Sequence, residues 1–91
     1  MALQILNTGD RSDPSEIAKQ LRAAIEAAIE DARVEVAVAG PGHFEIKVTS
    51  AAFSGRTRVK QQQLVYGAIK HLMAGNHAPV HAIDRLECRL P

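Results

Sequence analysis

The chain has 91 residues and a formal net charge of +1, and 46% of it is apolar while only 3% is aromatic. That length fits one domain, burying about 60–65% of its unfolded surface. Near-neutrality removes electrostatics as a ground for a nucleic-acid or membrane partner.

The lone cysteine, Cys88, excludes a disulfide framework and a Cys-based zinc site. The amino terminus has no basic start and only a short apolar run, and no stretch is apolar enough to span a bilayer. The expectation is a soluble cytoplasmic domain with no membrane partner.

Residues 1–12 hold one small apolar cluster, Leu3, Ile5 and Leu6, followed by Asn7-Thr8-Gly9-Asp10. They read as a flexible N-terminal arm ahead of a domain over residues 13–91. Asp13-Pro14-Ser15-Glu16 is a helix start, with Asp13 as N-cap and Pro14 at the first helical position. Ile17, Leu21, Ala24, Ile25, Ala28 and Ile29 follow the 3.6-residue period and predict a helix running to about residue 32.

Residues 33–39 alternate, with Val34, Val36 and Val38 on one side, and predict a half-buried strand. Gly40-Pro41-Gly42 breaks it. Residues 43–50 alternate again, with Phe44, Ile46 and Val48 on one face, so the two strands form an antiparallel hairpin. Phe53 should tuck into the core and Gly55 supply a turn. Residues 57–74 predict a second helix with Val65, Ile69, Leu72 and Met73 as its buried stripe, closed by Gly75-Asn76. Residues 80–90 predict a third strand, with Ala82, Leu86, Cys88 and Leu90 of one parity and His81, Arg85, Glu87 and Arg89 of the other.

The order is therefore α-β-β-α-β. A strand–helix–strand crossover makes its two strands parallel, so the second and third strands begin at one end of the sheet. His43 opens one and His81 stands at the start of the other. Neighbouring strands lie about 4.8 Å apart, which puts both imidazoles in reach of one metal centre, with His77 in the loop before. Neutral imidazole suits Zn, Cu, Fe or Ni, so the residues alone do not name the metal. A solvated or turn-bonding histidine is the plain alternative. No H-E-x-x-H motif or carboxylate cluster supports a hydrolytic site.

His43-Phe44-Glu45-Ile46-Lys47-Val48, Ser50, Phe53-Ser54-Gly55 and Val80-His81-Ala82-Ile83, in this order and spacing, resemble the BolA family over about residues 15–90. The segment from Arg58 through Gln61-Gln62-Gln63 to Gly67 resembles its IbaG-like branch, because BolA proper carries Arg-His-Arg at the three glutamines. The resemblance implies a single small α/β domain, similar to a class II KH domain, with a three-stranded mixed sheet covered by helices. It implies a non-enzymatic adaptor, monomeric alone, that forms a heterodimer with a monothiol glutaredoxin in iron–sulfur homeostasis and the stress response.

In that family the two proteins share a [2Fe–2S] cluster, the glutaredoxin side giving its cysteine and a glutathione thiolate. The BolA-like side gives the histidine of the His-Ala motif, here His81. It also gives a second ligand from the loop between the first two strands, matched here by His43. Imidazole in place of thiolate raises a cluster's potential.

A KH-like fold also motivates an alternative, a DNA-binding transcriptional regulator using Arg56, Arg58, Lys60 and Lys70 on the second helix. A solvated helix face accounts for the same residues, the KH G-x-x-G clamp is absent between the helices, and aromatic stacking residues are scarce. An enzyme is the third possibility. Its one candidate thiol, Cys88, shares the buried parity, and no paired acid and base accompany it.

Overall fold

A computed structural model of the chain describes residues 13–91; the arm expected over residues 1–12 lies outside the described residues. Helix α1 (Pro14–Ala28) starts as its sequence dictates. Asp13 Oδ1 accepts from the amide and the hydroxyl of Ser15, each at 3.0 Å, and Pro14 occupies the first turn. Ile17, Leu21 and Ile25 are buried along one stripe.

The helix stops at Ala28, short of the expected residue 32. Ile29 turns extended (φ −119°, ψ 120°) and Asp31 takes a left-handed conformation at φ 52°. The Glu30 carbonyl is taken by the Ser50 hydroxyl at 2.9 Å rather than by a further helical turn. Ala28, expected in the stripe, is exposed, while Ile29 stays buried from its position past the helix end.

Strands β1 (Arg33–Gly40) and β2 (His43–Thr49) form the antiparallel hairpin through Pro41-Gly42. A short 3-10 turn (Ala51–Phe53) leads to helix α2 (Arg58–Met73) and then to β3 (Ala82–Arg89), which lies parallel to β2. The sheet order is β1-β2-β3, so β2 is central. Phe44, Ile46 and Val48 form the inner face of β2 and meet Ile17, Leu21 and Ile25 of α1 and Val65, Ile69 and Leu72 of α2 in one core. Both helices therefore cover the same side of the sheet. Phe53 is fully buried with them.

The third strand departs from simple alternation. Its register runs His43↔Ala82 and Phe44↔Ile83, then jumps to Glu45↔Arg85, leaving Asp84 as an extra residue in a β-bulge. Ala82, expected to face inward, aligns with His43 away from the core. Ile83, Leu86 and Cys88 align with Phe44, Ile46 and Val48 and pack on the core. An unbroken ladder would set Asp84 opposite Glu45; the bulge puts Arg85 there instead, replacing repulsion with attraction. The strand begins at Ala82 rather than residue 80, and Leu90, expected inward, is exposed beyond its end.

Candidate functional site

The parallel pairing of β2 and β3 brings their amino-terminal ends to one rim, and the backbone fixes what stands there. Gly75 turns the chain out of α2 at φ 89°, and the Val80 amide donates to the Leu72 carbonyl at 3.1 Å. The next two amides, of His81 and Ala82, both donate to the Gly42 carbonyl, at 2.8 and 3.1 Å. The mouth of β3 is thus tied to the hairpin turn, with the exposed His81 at the tie.

The His81 imidazole rests directly on Gly42. A Cβ at residue 42 would lie 2.6 Å from His81 Nδ1 and 2.7 Å from its Cγ, and Gly42 has φ +74°. Glycine is required twice, by the backbone conformation and by the ring. Beside His81 opens a cleft of about 680 Å³, lined among others by Pro14, Ile17, Phe44, His77 and Pro79. Its far wall explains Val38, which shares its face with buried Val34 yet is 48% exposed: the cleft opens between the hairpin tip and the start of α1.

His43 stands at the same end of the sheet, next to Ala82 in register. Its parity is opposite to that of Phe44, so it turns to the face the helices leave bare, and it is not among the residues lining the cleft. Its Nδ1 lies 2.9 Å from Asp84 Oδ1, with the two side chains 45% and 42% exposed. The shared rim expected of His43 and His81 is present, His81 with His77 on the cleft and His43 paired with Asp84 outside it. Among the described residues, no three His, Cys, Asp or Glu side chains gather into a metal-holding group.

The basic residues lie elsewhere. Arg56, Arg58, Lys60 and Lys70 are exposed. Arg56 Nε donates to the Ala52 carbonyl at 2.9 Å, so part of its guanidinium holds the 3-10 turn. Thr57 caps α2, its Oγ1 accepting from the Lys60 amide at 3.2 Å. Gln61 donates from Nε2 to the carbonyls of Phe53 and Arg56, each at 3.1 Å, and fastens the turn to the helix. Cys88 is half-buried against the core, and burial pushes its thiol pKa up, the opposite of an activated nucleophile.

Four residues carry roles that the sequence does not announce: Gly42, Ser50, Gln61 and Asp84. For Gly42 the signal was present, since a glycine in a tight hairpin break marks a positive φ or a close approach.

A three-stranded mixed sheet with two helices on one side, in the order α-β-β-α-β and with a histidine at the mouth of its last strand, is the architecture of a BolA-like domain. Residues 17–88 match the family model described as BolA-like protein, and the chain belongs to the BolA family, on its IbaG-like branch. It is 42% identical over 51 residues to the acid stress protein IbaG of Escherichia coli strain K12. That match covers 55% of this chain and 58% of the relative, so it spans little more than half of that protein's length.

Among solved structures, the fold is similar to the BolA domain of SufE1 from Arabidopsis thaliana, with a TM-score of 0.69 and 20% identity over 96% of each chain. It is also similar to a bolA protein homologue from Coxiella burnetii, with a TM-score of 0.61 and 27% identity over 96% of this chain and 94% of that one. BolA1 from Arabidopsis thaliana gives a TM-score of 0.67 at 22% identity, covering 81% and 90%.

Among the described residues, no helix is long and apolar enough to cross a membrane.

Proposed function

We propose that this protein is a cytoplasmic adaptor that binds a monothiol glutaredoxin and co-ligates a [2Fe–2S] cluster with it, in iron–sulfur homeostasis under stress. The observation that carries this reading is the placement of His81: an exposed imidazole whose backbone amide is locked to Gly42 and whose ring is seated on that glycine. A donor held by the sheet rather than by a mobile loop meets a partner with little ordering cost.

The residues fit one side of a shared centre. The described residues offer no metal group of three or more His, Cys, Asp or Glu side chains. A histidine at the rim with a second imidazole near it suits a cluster whose remaining donors come from the partner's cysteine and glutathione. When bound, the cluster supplies a transferable iron–sulfur unit and a redox centre.

This chain's residues do the rest. His81 would donate one nitrogen, His43 is the candidate for the second, and the cleft walled by Ile17 and Phe44 gives the partner an apolar surface beside His81. The stress assignment is supported by the similarity to a relative named an acid stress protein.

The test is to add the protein to a cluster-loaded monothiol glutaredoxin and record visible circular dichroism. The wild type should change the spectrum and His81→Ala should not. An unchanged spectrum with the wild type would overturn the reading.

A further inference from the structure

Asp84 is the residue that β3 carries without a partner, because the register passes from Phe44↔Ile83 to Glu45↔Arg85 across it. A bulge re-aims a side chain, and this one brings the Asp84 carboxylate to 2.9 Å from His43 Nδ1 on the neighbouring strand. As a stabilising device the pair is weak: both side chains are more than 40% exposed, and water competes for a contact so placed.

Its chemistry is more selective than its energy. An ionised carboxylate only accepts hydrogen bonds, so the proton of this bond must sit on Nδ1. In the neutral ring the lone pair is then on Nε2, the nitrogen facing away from Asp84.

We propose that Asp84 is a positioning residue for His43, holding the imidazole in its Nδ1–H tautomer and leaving Nε2 as the outward donor atom. The proposal rests on the reading of His43 as the second ligand of the shared cluster. A carboxylate behind a ligating histidine fixes the ring's orientation and raises the basicity of its other nitrogen. The bulge is what makes this arrangement available. It inserts Asp84 into β3 between the residues opposite Phe44 and Glu45, returns Leu86 and Cys88 to the core, and leaves the ladder one unpaired position.

The first test needs no cluster. Long-range ¹H–¹⁵N NMR of the isolated protein, at a pH where the ring is neutral, reads which nitrogen of His43 is protonated. The wild type should show a protonated Nδ1 and a bare Nε2. Asp84→Ala should lose that preference and Asp84→Glu should restore it at least in part. A wild-type ring protonated at Nε2, or a pattern unchanged in Asp84→Ala, overturns the proposal.

The second test titrates the cluster-loaded glutaredoxin with Asp84→Ala, where the loss of a carboxylate behind a ligating histidine should weaken binding about 10- to 100-fold. If His81→Ala abolishes the complex while Asp84→Ala binds as the wild type does, the positioning role is overturned and the cluster reading stands. If the wild type gives no complex, the cluster reading falls, and the tautomer of His43 in the isolated protein decides the proposal by itself.

Discussion

The amide of His81 donates to the carbonyl of Gly42 at 2.8 Å, and the ring of His81 fills the space that any side chain at residue 42 would need. The two residues are held together by both main chain and side chain. Gly42→Ala should therefore act on stability and on the site at once. A left-handed conformation costs a non-glycine residue roughly 1–2 kcal/mol, and the new methyl must also displace the imidazole. A urea unfolding curve should show the lowered midpoint, and the cluster spectrum formed with glutaredoxin should weaken. An unchanged midpoint would contradict the close approach.

Ser50 joins three elements although its side chain is one hydroxyl. Its Oγ donates to the Glu30 carbonyl at 2.9 Å and accepts from the Ala52 amide at 3.0 Å, while its own amide donates to Arg89 at 3.0 Å. It is the one buried polar residue among those described. Ser50→Ala leaves a carbonyl and an amide without that partner, a loss of about 1–3 kcal/mol. In a domain of this size that is a large share of the total, and chemical denaturation should show it with no change in the slope.

Cys88 should be slow. Burial raises its thiol pKa, so the thiolate fraction at neutral pH is below that of a free cysteine. A thiol reagent should label the folded protein on the order of tenfold or more slowly than the urea-unfolded chain. Equal rates would show that the thiol is open to solvent.

Glu87 offers a pH dependence whose sign follows from its neighbour. Glu87 Oε2 accepts from Arg89 Nε at 3.1 Å and from Nη2 at 2.9 Å, and chiefly this hydrogen bonding holds its carboxyl below the ordinary glutamate range. A lowered carboxylate pKa contributes stability that is present above the unfolded value and is lost as pH falls through the folded one. The Glu87 side chain is 31% exposed and that of Arg89 58%, so solvent screens the pair, the effect on folding is small and the clearest readout is the residue itself. An NMR titration should place the Glu87 midpoint below the ordinary value, and Arg89→Ala should move it back up.

The element order, the hairpin and the inner face of β2 were legible because period and punctuation agree there. Phe44, Ile46 and Val48 alternate without interruption between a glycine break and Ser50, and all three are in the core. The parallel rim was legible for the same reason, since a helix between two strands leaves few topologies.

The course of β3 was not. One inserted residue exchanges the faces on its two sides, so Leu86 and Cys88 face inward as the alternation predicts, while Ala82, ahead of the insertion, turns away from the core. In the sequence Ala82-Ile83-Asp84-Arg85 nothing marks the insertion except the charge of Glu45 on the neighbouring strand. The end of α1 was misjudged because the apolar period continues into Ile29, which reaches the core from an extended residue. Ser50 and Gln61 escaped notice because their partners are backbone carbonyls, which carry no sequence signature.

Among the described residues, both helices lie on one side of the sheet and no element covers the other. The cross-strand rows there run Glu35, Lys47, Glu87 and Ala37, Glu45, Arg85, so sign alternates along and between them. Two copies meeting through these faces would have to strip water from charged groups before gaining any apolar area. Among the described residues, it is this charge pattern rather than a third layer that opposes the stacking of one three-stranded sheet on another.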